Sequence, residues 1–209
     1  MTEILYEDKN LIFCVKEAGI SSETELPQAL KEQTKSDIFP VHRLDTPVGG
    51  VMVYAKNKQT AALMSDKIAG NDDFEKTYLA VCEGEFDEKS GYMEDLLFKD
   101  SRKNKSFVVK KERKGVKKAL LYYEILGAAE YKQKRVSLAK VTLKTGRSHQ
   151  IRVQFASRRH PLAGDGKYGS KINCPISLFS HSIKTCKKAV TKNPPDLEPW
   201  NLFKIILDK

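Results

Sequence analysis

An arginine and a carboxylate two residues apart, Arg43 and Asp45, are the first place where this chain could do chemistry. They sit in His42-Arg43-Leu44-Asp45, which continues as Thr46-Pro47-Val48-Gly49-Gly50 into the apolar run Val51 to Ala55. A carboxylate beside a cation at the mouth of a buried strand has the makings of a loop site. The glycines would permit close backbone approach of a ligand. Taken alone, an ordinary surface turn with a local salt bridge would read the same way. A second candidate is Lys144-Thr145-Gly146-Arg147-Ser148-His149-Gln150-Ile151-Arg152. A helix beginning near Ser148 would carry Arg152 one turn in, on the face shared by His149 and Ala156. Its first amides, with Arg147 beside them, would suit a phosphate, although a plain polar helix start has the same composition.

A third feature is electrostatic. Between Lys99 and Lys118 the chain carries ten Lys or Arg against two acidic residues, Lys110 and Lys111 among them. A basic hairpin tracking phosphates fits this run, and a solvated charged loop is its bland counterpart. A smaller basic cluster comprises Lys184, Lys187, Lys188 and Lys192.

The elements that must hold these residues follow from pattern. Ile4 to Tyr6 and Leu11 to Val15, joined by Asp8-Lys9-Asn10, read as a hairpin. Leu26, Ala29 and Leu30 give helical spacing up to Lys35. Asn57 is placed to cap a helix through Ala61, Met64 and Ile68, ended by Gly70 and Asn71. Strands are expected at Phe74–Cys82, Tyr92–Phe98, Phe107–Val109, Ala119–Leu126 and Val136–Leu143, then a turn and helix over Thr145–Arg159. Later strands are expected near Ile176–Phe179 and Leu202–Leu207, with Trp200 as a packing anchor. Many strands and few helices suggest an α+β protein on a mainly antiparallel sheet with a few flanking helices. No linker or repeat divides the chain, so one domain over residues 1–209 is expected.

Composition narrows the function classes. A 209-residue chain with 40% hydrophobic and 31% charged residues is globular in character, and its net charge of +10 favours a polyanionic partner. Cys14, Cys82, Cys174 and Cys186 form no CxxC pair, which argues against zinc and against a disulfide framework. The acidic start MTEILYEDKN is unlike a signal peptide, and a cytoplasmic protein is expected.

Four segments taken together carry a resemblance: ILYEDKNLIFCVKEAG, HRLDTPVGGVMVYAKN, FEKTYLAVCEG and LKTGRSHQIRVQFASRRHPLAGDGKYG. In order and spacing they resemble the RluA-type pseudouridine synthases over most of residues 3–170, and HRLD followed by KTYLAV and TGRSHQIR is a specific series. The resemblance implies a pseudouridine synthase-like catalytic domain that isomerises uridine in ribosomal or transfer RNA without cofactor or metal. It implies that Asp45 is the essential aspartate, that Arg43 helps displace the target nucleotide, and that Tyr78 packs on the uracil. It implies that Arg152 pairs with the aspartate and orients it.

The reaction breaks N1–C1′, turns the uracil and rejoins it through C5. The carboxylate could attack the base or the sugar, or take a sugar proton, and Tyr78 or water could accept the C5 proton. His42, Arg147, His149, Lys110 and Lys111 join Arg43 as expected RNA contacts. The chain departs from the family in having Val48-Gly49 where Thr-Ser is common, and Gln154 where histidine is common. The small RNA-binding domain that precedes many relatives is expected to be absent, and a monomer is expected. A non-catalytic RNA-binding protein on the same fold is the rival, but it would be expected to lose Asp45, Tyr78 or Arg152. A zinc-dependent base deaminase would need HxE and PCxxC, which are missing.

Overall fold

The computed structural model describes residues 1–70, 73–186 and 188–208; Asn71, expected to help close a helix, and Lys187 of the smaller basic cluster lie outside them. The chain divides into two compact units, Met1–Thr77 with Phe179–Pro194 and Tyr78–Leu178 with Pro195–Lys209.

The first unit begins with the expected hairpin, β1 (Ile4–Glu7) and β2 (Leu11–Lys16). The Asp8 carboxylate forms the turn by accepting the N–H groups of Asn10 and Leu11, both at 2.7 Å. In α1 (Glu25–Thr34) the buried side is Leu26, Pro27 and Leu30. Ala29, expected on that side, faces solvent, because Pro27 occupies the inward position beside Leu26. After the short β3 (Phe39–Pro40) comes β4 (Gly49–Ala55), whose run Val51 to Ala55 has no exposed surface. A strand apolar on both faces belongs in the interior of a sheet. The Asn57 side chain does cap α2 (Lys58–Gly70), accepting the Thr60 N–H at 2.8 Å. Leu11, Phe13, Val51, Val53, Met64, Ile183 and Val190 form the core of this unit.

The second unit takes up β5 (Phe74–Glu83) from Tyr78 onward. Its other strands are β6 (Ser90–Asp100), β7 (Lys105–Val109), β8 (Val116–Tyr131) and β9 (Lys134–Leu143), in spatial order β5-β9-β8-β6-β7. The strand β8 outruns its expected end at Leu126 by taking a bulge between Ile125 and Gly127. It turns into β9 through Lys132 and Gln133, both at positive φ. The helix α3 (Gln150–Ser157) packs Val153 against Leu97 and Ala119.

The strand β10 (Leu178–Thr185) begins two residues later than expected; from Phe179 it lies in the first unit, parallel to β4, and it turns back into β11 (Ala189–Thr191). The strand expected at Leu202–Leu207 is instead a 3-10 turn, Trp200–Phe203, and a short helix α4 (Lys204–Leu207). Trp200 and Phe203 are buried three residues apart while Leu202 and Ile205 are exposed, a helical rather than an alternating pattern. The architecture is α+β, mainly antiparallel, and β4 and β10 pair in parallel.

Candidate active site

In the first unit the backbone on either side of Asp45 is fastened. The Ser22 hydroxyl accepts the Leu44 N–H at 3.1 Å and donates to the Leu44 carbonyl at 3.0 Å. The Tyr54 hydroxyl in turn donates to the Ser22 carbonyl at 2.8 Å. On the other side, the Thr46 carbonyl accepts from Gly19 N–H at 2.8 Å and from Lys16 Nζ at 3.0 Å. Asp45 closes its own turn, its carbonyl accepting the Val48 N–H at 2.9 Å. A half-buried carboxylate is thereby held on a loop whose flanking peptides are hydrogen-bonded into the unit.

Lys16 has no exposed surface. Its ammonium donates to the carbonyls of Glu17, Ile20 and Thr46, three acceptors for three N–H bonds. Burial pushes its pKa from 10.5 down to about 8, against the opposing attraction of Asp45 and Glu25.

The two glycines after Val48 serve backbone packing. A Cβ on Gly50 would stand 2.3 Å from the Ser180 carbonyl oxygen, and φ is +121° there. The close approach that sequence assigned to a ligand is made by β10.

Arg43 is exposed and pairs with Glu23 at 3.5 Å, an exposed ion pair of little energetic weight. His42 is tied into β4, its Nε2 accepting the Val53 N–H at 3.2 Å, and its ring meets Phe74 edge-on with centroids 5.8 Å apart. An Nε2 that accepts leaves the proton on Nδ1. Burial and the nearby Lys76 push the pKa of His42 down to about 3, so it is neutral at physiological pH.

In the second unit Tyr78 is buried in β5. Arg152, on α3, forms a fork with Asp165, Nε to Oδ2 at 2.7 Å and Nη2 to Oδ1 at 2.8 Å, and both residues are buried. Such a two-bond guanidinium–carboxylate fork fixes the guanidinium plane. The guanidinium also lies 5.2 Å from the Tyr168 ring centroid. The Tyr168 hydroxyl accepts the Ser106 N–H at 2.9 Å and shares a hydrogen bond with His149 Nδ1 at 2.9 Å. His149 is therefore part of a buried network.

The helix start expected to hold a phosphate is organised by Gln150, whose Oε1 accepts the Arg147 N–H and the Thr145 hydroxyl. Arg147 is exposed and its Nε donates to the Lys118 carbonyl at 2.9 Å. Lys110 and Lys111 are exposed at the turn between β7 and β8. Among the described residues no group of three or more His, Cys, Asp or Glu side chains could hold a metal ion.

The motifs point to Asp45 and Arg152 but give no role to Lys16, Ser22, Asp165 or Tyr168, which fasten their surroundings. Lys16, Asp165 and Tyr168 did lie within the quoted segments, so position in a motif was the available signal. Ser22 offered none, because its role depends on a contact across 22 residues.

The RNA pseudouridylate synthase family model matches residues 10–157. The chain belongs to that family. It is 34% identical to tRNA pseudouridine synthase C of Haemophilus ducreyi over 186 residues, covering 80% of this chain and 74% of that one. It is 33% identical to ribosomal large subunit pseudouridine synthase D of Borreliella burgdorferi, covering 87% of this chain and 59% of that one. Its fold is similar to that of the human RNA Pseudouridylate Synthase Domain Containing 1, with a TM-score of 0.81 at 21% identity over 95% of this chain and 85% of that one. Family membership carries the reaction class, isomerisation of uridine to pseudouridine in RNA.

Proposed function

We propose that this RNA pseudouridine synthase is a monomeric, single catalytic domain that isomerises uridine in transfer or ribosomal RNA through Asp45. The observation that carries the assignment is the pair of restraints on Leu44 and Thr46, which hold the aspartate of the HRLD motif on a pre-set backbone. A carboxylate whose backbone does not have to be ordered at each turnover suits a reaction that depends on close approach to a sugar or base.

In this reading Arg43 exchanges its weak pair with Glu23 for a phosphate as the target nucleotide leaves its stack, which costs a few kcal/mol. Tyr78 packs on the uracil. Arg152, held by Asp165, orients the Asp45 carboxylate. The N1–C1′ bond breaks, the uracil turns, C5–C1′ forms, and the proton leaving C5 is matched by one gained at N1. No redox equivalent or transferred group enters this balance. Lys110, Lys111 and Arg147 contact phosphates. His42 and His149 are held within the protein, His42 by the Val53 N–H and His149 by Tyr168, and act as supports for the RNA-contacting segments.

The test is tritium release from transfer and ribosomal RNA labelled at uridine C5. Wild-type protein is expected to release label from at least one of the two. Asp45→Asn should fold and bind RNA yet release none. An Asp45→Asn protein that retained turnover would overturn the assignment.

A further inference from the structure

The three-stranded ribbon of β6, β7 and β8 has two unlike faces. Asp95 and Leu97 face α3: Asp95 bonds Gln154 and Arg158, and Leu97 packs with Ala119 and Val153. Alternation along a strand sends Tyr92, Glu94, Leu96 and Phe98 to the opposite face. Cross-strand register places Tyr122 opposite Tyr92, Lys118 opposite Leu96, and Val116 and Phe107 opposite Phe98 on β8 and β7.

That opposite face is aromatic and cationic together. Tyr92 is 67% exposed and Tyr122 lies beside it, ring centroids 5.1 Å apart and tilted. At the other end Phe107 is 36% exposed and the Arg113 guanidinium covers Phe98 at 4.7 Å, while Lys105 lies between the Phe107 and Tyr168 rings at 5.7 and 5.0 Å. The seven residues from Tyr92 to Phe98 span about 20 Å of strand, room for several nucleotides. Glu94, and Glu124 two residues from Tyr122 on β8, lie on the same face at the tyrosine end, while the flanking segment Lys99–Lys118, with ten cations against two acidic residues, puts the positive charge at the Phe98 and Phe107 end.

We propose that this face is a stacking platform for an unpaired stretch of the substrate RNA, with Tyr92 and Tyr122 as the principal base-stacking residues. The proposal rests on the RNA-modifying activity and extends it to a second contact surface. The combination of side chains selects the occupant. A duplex hides its base faces and is held through phosphates and 2′-hydroxyls, for which exposed aromatic rings offer nothing. Unpaired bases present faces to aromatic rings and phosphates to lysines, and they need both on one surface. A protein partner, or a second copy of this strongly basic chain, would not account for the cations at the Phe98 and Phe107 end of the face. A cross-strand tyrosine pair also stabilises a hairpin by itself, so the test must separate stability from binding.

The probe is a fluorescein-labelled ten-nucleotide oligouridylate, with a labelled perfect RNA duplex for comparison, both titrated with full-length protein carrying Asp45→Asn to prevent turnover. Adding Tyr92→Ala and Tyr122→Ala should weaken oligouridylate binding by about tenfold or more, with the salt dependence unchanged because no charge is removed. Duplex binding should change less than twofold, and Tyr92→Phe with Tyr122→Phe should restore oligouridylate binding. Unaltered oligouridylate affinity in the alanine protein would overturn the platform. Equal weakening for oligouridylate and duplex would overturn it too, as would a change confined to self-association in sedimentation. Tritium release by the wild type reports the reaction separately. A protein that binds as expected but releases no label would sink the catalytic reading and leave the platform standing.

Discussion

A lysine with no exposed surface is costly to bury as a cation, and Lys16 is tolerated because three carbonyls receive its three N–H bonds. One of those carbonyls belongs to Thr46, so the protonation of Lys16 and the restraint on the Asp45 loop are linked. Its pKa of about 8 in the folded protein lies below the ordinary 10.5. Between those two values the unfolded chain binds the extra proton, so this group makes folding more favourable as pH rises. Turnover should move the other way. Neutral Lys16 has two N–H bonds for three carbonyls, so kcat is expected to fall as pH passes about 8 while urea resistance does not fall with it. In Lys16→Met the alkaline limb of kcat near 8 should disappear and kcat should be low throughout. A Lys16→Met enzyme with the wild-type pH profile would separate Lys16 from the reaction. At this scale the sequence was informative where a motif names a residue, as with Asp45 and Arg152. It was silent on Ser22 and Asp165, whose roles arise from contacts that cross 22 and 13 residues.

Elements position the site through backbone contacts that leave little room for side chains. The β4–β10 pairing sets Gly50 against Ser180, and an added Cβ would meet the Ser180 N and O at 2.5 and 2.3 Å. Neither atom can move without breaking the parallel pair, and φ of +121° is strained for any L side chain. Gly50→Ala should therefore destabilise by about 2 kcal/mol or more, lowering Tm by roughly 4–8 °C in a chain of this size. Gly166→Ala is the control: nothing lies within 4 Å of its Cβ position and its φ is not positive, so its Tm should stay close to wild type. Comparable Tm values for the two variants would mean that the β4–β10 contact is soft. The opening hairpin and the Asn57 cap were legible because their turn and capping chemistry is local. The last helix was not, because Leu202 to Leu207 is apolar enough for a strand, and burial of Trp200 and Phe203 on one side decides for helix. Val48 and Gly49 stand where the family often has Thr-Ser. Val48 is buried, and a Cβ on Gly49 would come 3.2 Å from the Lys16 carbonyl, so local packing constrains both positions.

Across the whole molecule the charge is unevenly spread, and this asymmetry was the part of the function most plainly written in composition. Of the 37 Lys and Arg residues, ten fall between Lys99 and Lys118, and the stretch from Lys110 to Lys118 is almost entirely exposed. The division into two units has no such signal at two of its three crossings, which fall inside β5 between Thr77 and Tyr78 and inside β10 between Leu178 and Phe179; the third falls between Pro194 and Pro195. Exposed lysines on a flexible stem gain little from surface pairing and keep their rotamer freedom, so their number is more readily explained by a polyanion than by stability. Each phosphate they neutralise releases counterions, which makes the count measurable as a salt slope. Changing Lys110, Lys111, Lys114 and Lys117 together to Gln should reduce the slope of log K against log salt by about 0.7 for each single-strand phosphate that is no longer neutralised. KM should rise at physiological salt, whereas kcat at saturating RNA should hold, since none of the four is assigned to the reacting atoms. At low salt the variant should be weakened most, and near molar salt it should converge on the wild type, because screening there removes the advantage the lysines supply. An unchanged slope would make the run a solvated loop, and the positive charge that governs encounter with RNA would then have to lie elsewhere on the chain.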